Sequence, residues 1–338
     1  MKIYAFILIS LFITLCGIYA GQGDTIAVNQ PVYYTSLKDK LSLYLYGINK
    51  FNAFEMKDSE KENLIQFKPN ENFNLGLGFN YKWAGIGAAF NFGFVNKDND
   101  IYGDTKSIDL QVDLYTSRMV LFLNLSGYEG FYWQNVDDYY SGWSIKDSVI
   151  VRPDISTFNF SSGAIYTFNH KKFSFRAAYG NTEWQKHSAG SMLAACYFSL
   201  YTVSADSSLV PDILQTTYPL FDSLTNLATF NFGGSFGYTH TFVIKKHVFI
   251  NGTLMIGVSM QAFTAKDFLD NVLESKIKPS THSHLRLALG YNSEKSYFGI
   301  SLIVDSYIAR NEMNSEFTRN YGKFRVFYGR RFTVSKPD

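Results

Sequence analysis

Ser283, flanked by His282 and His284, is where residue types alone first suggest reactive chemistry in this chain. A histidine beside a serine can raise the hydroxyl to a nucleophile, and two histidines can hold a metal ion. Both ideas depend on direction. In an extended strand neighbouring residues face opposite ways, so Ser283 turns away from both histidines while His282 and His284 share a face. No third ligand stands nearby in the sequence. Neither a hydrolase nor a metal centre is therefore expected, and no cofactor is implied. No glycine loop follows a strand and opens a helix, so nucleotide binding has no support either.

A larger set of polar residues recurs at every second position. Asp109, Gln111 and Asp113 form one row; His284 and Arg286 form another; Arg176, Asp305, Lys323, Arg325 and Arg331 fall on further segments. Asn80, Asn91, Asn124 and Asn231 take equivalent positions. If these residues face a common interior, acidic groups from the first third of the chain meet basic groups from its end. Opposed charges of this kind can shape an aqueous pore, or they can pair and fill the interior.

The elements that would position them are strands. Phe73, Leu75, Leu77, Phe79, Tyr81 and Trp83 share one face, and Asn74, Gly76, Gly78, Asn80 and Lys82 the other. The same period-two pattern follows in Ile86, Ala88, Phe90, Phe92 and Phe94. It returns in 107–114, 121–126, 158–168, 173–179, 189–203, 229–242, 250–260, 285–291, 298–304 and 324–332. Many of these segments run to about 10 residues, the length that crosses a bilayer at a tilt. About eight strands can fill a closed barrel with their own side chains, and a dozen cannot. The apolar phase must then face outward, into lipid. This predicts an all-β, transmembrane antiparallel β-barrel of 12 strands, with 14 as the alternative, because strand parity fails across 204–226. In 173–179 a strand is expected to pair with 158–168, and a short helix is expected over 267–276.

Composition agrees. Aromatic residues make up 17% of the 338 and charged residues only 18%, the balance of alternating strands with interfacial rings. Trp83, Trp133 and Trp184 are read as belt residues, and the loop 137–143 as an external aromatic rim. The formal charge of +2 gives no reason to expect nucleic acid. Residues 1–20 carry Lys2, an apolar run and a small residue at Ala20, the pattern of a secretory signal peptide. Leu15 before Cys16 argues against lipidation. Residues 21–40 read as a polar periplasmic segment, 41–334 as the barrel and 335–338 as a tail. Cys196, the one cysteine beyond the signal, excludes an internal disulfide and falls on the lipid face with Met192, Ala194 and Phe198.

The hairpin NLGLGFNYKWAGIGAAFNFGF at 74–94 resembles a family of Bacteroidota outer-membrane proteins known as domain of unknown function 4421. KSIDLQVDLY at 106–115 and FSFRAAYGNTEWQKHSAGS at 173–191 are similar to it too, and the likeness runs from about residue 38 to 332. The resemblance implies an outer-membrane barrel and brings no activity or ligand. The ending Tyr328-Gly329-Arg330-Arg331-Phe332-Thr333-Val334 resembles the aromatic terminal signal that the barrel-insertion machinery reads, with Val334 where an aromatic is usual. The expected partners are outer-membrane lipid, lipopolysaccharide and that machinery. Three functions fit: a structural or pore-forming barrel for small solutes, a barrel-embedded enzyme acting on lipid or lipopolysaccharide, and an envelope protein that binds a partner through its external loops.

Overall fold

The computed structural model describes residues 31–58, 63–71, 73–82, 84–91, 98–140, 149–218, 222–310 and 315–334. The signal segment, Trp83, Trp143 and the tail 335–338 lie outside these residues. The chain divides into Met1–Val32 and Tyr33–Asp338, and the barrel belongs to the second unit. In chain order its strands are β1 (Tyr34–Ser36), β2 (Lys40–Lys57), β3 (Leu64–Lys68), β4 (Phe73–Tyr81) and β5 (Ala84–Asn91). Next come β6 (Lys106–Tyr115), β7 (Met119–Trp133), β8 (Ile150–Thr167), β9 (Glu183–Gln185) and β10 (Ala189–Ser204). The long closing strands are β11 (Leu224–Ile244), β12 (Val248–Asp267), β13 (Val272–Asn292), β14 (Ser296–Arg310) and β15 (Glu316–Thr333).

All ladders are antiparallel, and β15 pairs with β2 along its whole length, from Thr333 opposite Lys40 to Glu316 opposite Lys57. The sheet thus closes on itself. Closure leaves few exposed edges and satisfies the backbone without water. Period two decides the faces. On β12 exposed and buried residues alternate, with Leu254, Ile256, Val258 and Met260 outside and Thr253, Met255, Ser259 and Gln261 inside. Phe236 on β11 is 71% exposed and Val258 is 68% exposed, values that only an apolar surrounding tolerates across a whole barrel wall. Three residues, Lys245 to His247, join β11 to β12: Lys245 and Lys246 adopt positive φ (49° and 64°) and the His247 amide donates to the Ile244 carbonyl at 3.1 Å, a tight turn whose twist suits its strands.

Closure differs at the two ends. Toward the longer loops ten strands form the ring, β2–β3–β7–β8–β10–β11–β12–β13–β14–β15, with β3 joining β2 to β7. Toward the short turns β4 and β5 extend from β2, and β6 extends from β7, so twelve strands surround the lumen. Among the described residues no ladder joins β5 to β6. A seam opens there in the wall.

Three sequence expectations are corrected. Residues 173–179 form no strand: β8 pairs directly with β10, and 168–188 fold inward as a π-helical turn (Arg176–Gly180) and the short β9. Removing that strand restores the parity that had failed across 204–226. The apolar alternation in 173–179 reflects burial inside the lumen, which a period-two pattern cannot tell from a lipid-facing strand. Residues 267–276 form no helix, because β12 and β13 run on to a tight turn with Asp270 at φ 63°. Trp133 is no belt residue: it is 1% exposed within the lumen-end core. Trp184 lies on β9, donates to the Lys246 carbonyl at 2.6 Å and stacks on His247.

Candidate functional site

The lumen is packed at both ends. At the turn end the inserted segment contributes Phe173, Phe175, Ala178 and Tyr179 to a core with Phe249, Met255 and Ile303 of the wall. Inward-facing wall residues hold its backbone. Asn292 donates to the carbonyls of Ala177 (3.1 Å) and Glu183 (3.0 Å), Arg325 to Tyr179 (2.8 Å) and Arg331 to Asn181 (2.6 Å). The Tyr179 hydroxyl donates to Asn251 at 2.7 Å. Arg176, expected on a strand, sits in this segment and forms a buried ion pair with Glu183 at 2.7 Å. β1 pairs with β9 and ties the plug to the segment entering the barrel.

At the loop end 205–218 fold over the opening. Leu209, Val210, Leu214 and Tyr218 pack against Phe54, Phe67, Trp133 and Phe263. The Tyr218 hydroxyl donates to the Asn63 carbonyl (2.8 Å) and accepts from the Asp58 amide (3.1 Å), while burial pushes its phenol well above the ordinary range. The Tyr139 hydroxyl donates to the Leu64 carbonyl, its ring packs on Trp133, and burial raises its phenol as well. The described part of the 137–143 loop is therefore cap, packed on the rim.

Between the two ends lie polar networks of facing wall residues. Asp305 Oδ1 accepts from His282 (3.0 Å) and His284 (2.7 Å); Arg286 Nε donates to His284 Nε2 at 2.6 Å. Arg286 also reaches Asp113 (3.2 Å) and the Tyr115 hydroxyl (3.1 Å), and Lys323 reaches the other Asp113 oxygen at 2.7 Å. Lys50 pairs with Asp109 at 3.2 Å, and Asp109 also accepts from Tyr128 and from Gln111 (3.1 Å). Asn124 donates to Tyr321 at 3.2 Å. Asn231 is buried and accepts from Ser259, and Asn80 shares the inward phase of Gly76 and Gly78. Asn91 ends β5, and its side chain lies outside the described residues.

His282, His284 and Asp305 converge closely enough to invite a metal ion, their candidate ligand atoms lying within 4.8 Å of one another. The hydrogen bonds argue otherwise. By donating to His284 Nε2, Arg286 fixes the proton on Nδ1, the atom a metal would need, and places a guanidinium beside the site. These residues do not fit a metal, and their chemistry is that of a buried hydrogen-bond network.

One polar cavity of about 470 Å³ remains beside the seam. Tyr44, Tyr46 and Lys50 of β2, Gly87 and Ala89 of β5, Asp109 to Asp113 of β6, and Lys323 and Arg325 of β15 surround it, with Tyr179 of the plug on one side. The two tyrosine rings lie over the inner face of β4 and β5. A Cβ on Gly76 would stand 2.4 Å from Tyr46, and one on Gly78 2.3 Å from Tyr44, so glycine is what lets the rings approach. Sequence reading named the acids and the late basic residues but passed over Tyr44, Tyr46 and Lys50. Their signal was present, since they alternate with Leu43 and Leu45, which are exposed on the outer face.

Among solved structures the chain is similar to the outer membrane protease OmpT from Escherichia coli, at 8% identity and a TM-score of 0.38, over 88% of this chain and 98% of that one. It is similar also to the translocator domain of the autotransporter NalP from Neisseria meningitidis, at 11% identity and 0.32, over 97% and 96%. A third likeness is to the attachment invasion locus protein Ail of Yersinia pestis, at 12% and 0.21, over 87% and 99%. No curated protein matches the sequence. The family described as domain of unknown function 4421 matches residues 23–332, and the chain belongs to that family.

Proposed function

We propose that this protein is an integral outer-membrane barrel that binds rather than conducts. The carrying observation is the double closure of its lumen: the 168–188 insert fills the turn end and 205–218 cover the loop end, each through a buried apolar core. Passive solute flow needs a continuous wetted path, and two apolar cores interrupt it. The membrane assignment is supported by the closed ladder and the apolar exterior, and export by the signal-like residues 1–20. An enzymatic role finds little support, since His282 and His284 are committed to Asp305 and Arg286 and, among the described residues, neither is hydrogen-bonded to a serine.

Planar-bilayer recording tests this reading. Purified protein is expected to leave the bilayer silent across salt and voltage, and steady ohmic conductance from the unmodified chain would overturn it.

A further inference from the structure

We infer that the β5–β6 seam is the lateral entrance to a binding site for an anionic amphiphile, whose charged head occupies the 470 Å³ cavity while its chain stays in the membrane. This rests on the reading of the barrel as membrane-embedded and sealed along its axis.

On β2, β5, β14 and β15 only inward-phase residues line the cavity: Tyr44 and Tyr46, Gly87 and Ala89, Ser301 and Ile303, Lys323 and Arg325. On β6 alone both phases line it, with Leu110 and Val112 beside Asp109, Gln111 and Asp113. Leu110 is 49% exposed on the barrel exterior. A cavity lined by consecutive residues of one strand reaches that strand's free edge. That edge is the one facing β5, where no ladder is found among the described residues. The interior space therefore reaches the lipid sideways.

Unpaired strand edges in hydrocarbon are expensive, because each orphaned backbone group gives up a hydrogen bond that no water can replace. A polar occupant in the gap would relieve part of that cost. Its loop-side limit is stitched shut. Asn70 bonds through its side chain to Asp98 (3.3 Å), Asn99 (3.0 Å) and the Gly103 carbonyl (3.0 Å), and its amide donates to Thr105 at 2.8 Å. The opening is thus confined to the turn-side half of the wall.

Lys50, Lys323 and Arg325 line the cavity against Asp109 and Asp113. Both carboxylates are already engaged, Asp109 by Lys50, Tyr128 and Gln111, and Asp113 by Lys323 and Arg286. Arg325 donates to the Tyr179 carbonyl and lies over Phe327. Three cations thus face two acids around the space, and the net positive charge favours a carboxylate or phosphate head. The volume suits one small polar head rather than an aqueous channel.

The test uses the whole protein, delipidated in an uncharged maltoside detergent and titrated calorimetrically with dodecyl phosphate, dodecyl phosphocholine and inorganic phosphate. Dodecyl phosphate is expected to bind saturably at one per barrel, at least tenfold more tightly than either comparison. The variants Arg325→Gln with Lys323→Gln, and separately Ala89→Trp, are expected to weaken it tenfold or more, while Lys246→Gln at the β11–β12 turn leaves it unchanged. Heat-modifiable migration of each variant establishes that it has folded; any variant that fails this check is replaced by Gly87→Leu, which narrows the same space. Equal binding of inorganic phosphate would overturn the lateral entrance, equal binding of dodecyl phosphocholine would overturn the anionic preference, and indifference to the cavity variants would overturn the location. Benzoylphenylalanine at position 112, irradiated in intact membranes, is expected to capture lipid. A polypeptide adduct in its place would overturn the proposal and make the seam a docking edge for a strand. Bilayer conductance of the unmodified chain, by contrast, would sink the sealed-barrel reading while these titrations are read independently.

Discussion

Arg286 is 1% exposed and spends its guanidinium on three partners, His284, Asp113 and the Tyr115 hydroxyl. A buried cation so enclosed gains little net stability over an apolar core, yet its removal leaves its partners stranded. Arg286→Met is expected to destabilise the barrel by roughly 3–5 kcal/mol, the usual result of breaking a buried pair from one side. The measurement is the shift in urea midpoint for refolding into vesicles, and an unchanged midpoint would refute the network's role. Gly130 offers a second residue-level case. It sits at φ 92° in a bulge of β7, and a Cβ there would come within 2.3 Å of the Asp104 carbonyl. Gly130→Ala is expected to cost about 1–3 kcal/mol from backbone strain alone, with the clash adding to it. The same midpoint assay checks it.

The insert and the cap are the elements that distinguish this barrel from an open one. The 168–188 insert is held by side chains from β12, β13 and β15 that all point inward, so the wall is prepared for it. The cap at 205–218 is apolar on its inner side and makes its own core. Each seals one end without the other. Replacing 171–186 by a short Gly-Ser linker is therefore expected to lower the unfolding midpoint but to leave the bilayer silent. Conductance should arise only when 205–218 are shortened as well. Current from the first deletion alone would show that the loop-end core does not seal.

For the molecule as a whole, the decisive quantity is what its exterior touches. The outer phase of β10 to β15 carries an apolar band that includes Met192, Phe236, Leu287, Ile300 and Val326, and Val258 and Ile256 stand in the middle of β12. Placing a cation there costs about 2–4 kcal/mol at the bilayer midplane and nearly nothing in water. Val258→Arg is accordingly expected to reduce stability in lipid by that amount, as read from vesicle unfolding. A neutral result would mean a water-facing wall. Closure of the ladder between β15 and β2 predicts in addition that unboiled protein migrates faster on a detergent gel than boiled protein. Identical migration would argue against a closed barrel.

Sequence alone determined the local facts. Alternation with period two is written residue by residue, so 73–82, 84–91, 229–260, 285–310 and 315–332 announced their strands and their faces without any knowledge of neighbours. Asp109, Gln111 and Asp113, like Lys323 and Arg325, were assigned a face by the same rule, and each shares it with the cavity. Tertiary structure decided everything that depends on which strand lies beside which. Phe173 to Tyr179 look like a lipid-facing strand because an apolar insert buried in a lumen and an apolar wall exposed to lipid obey the same preference for leaving water. Trp133 was misplaced for that reason too. The seam was illegible because an unpaired edge is a missing set of backbone bonds, and backbone bonds leave no mark on side-chain pattern. Pairing of Asp113 with Arg286, 173 positions apart, waited on the closure of the ring.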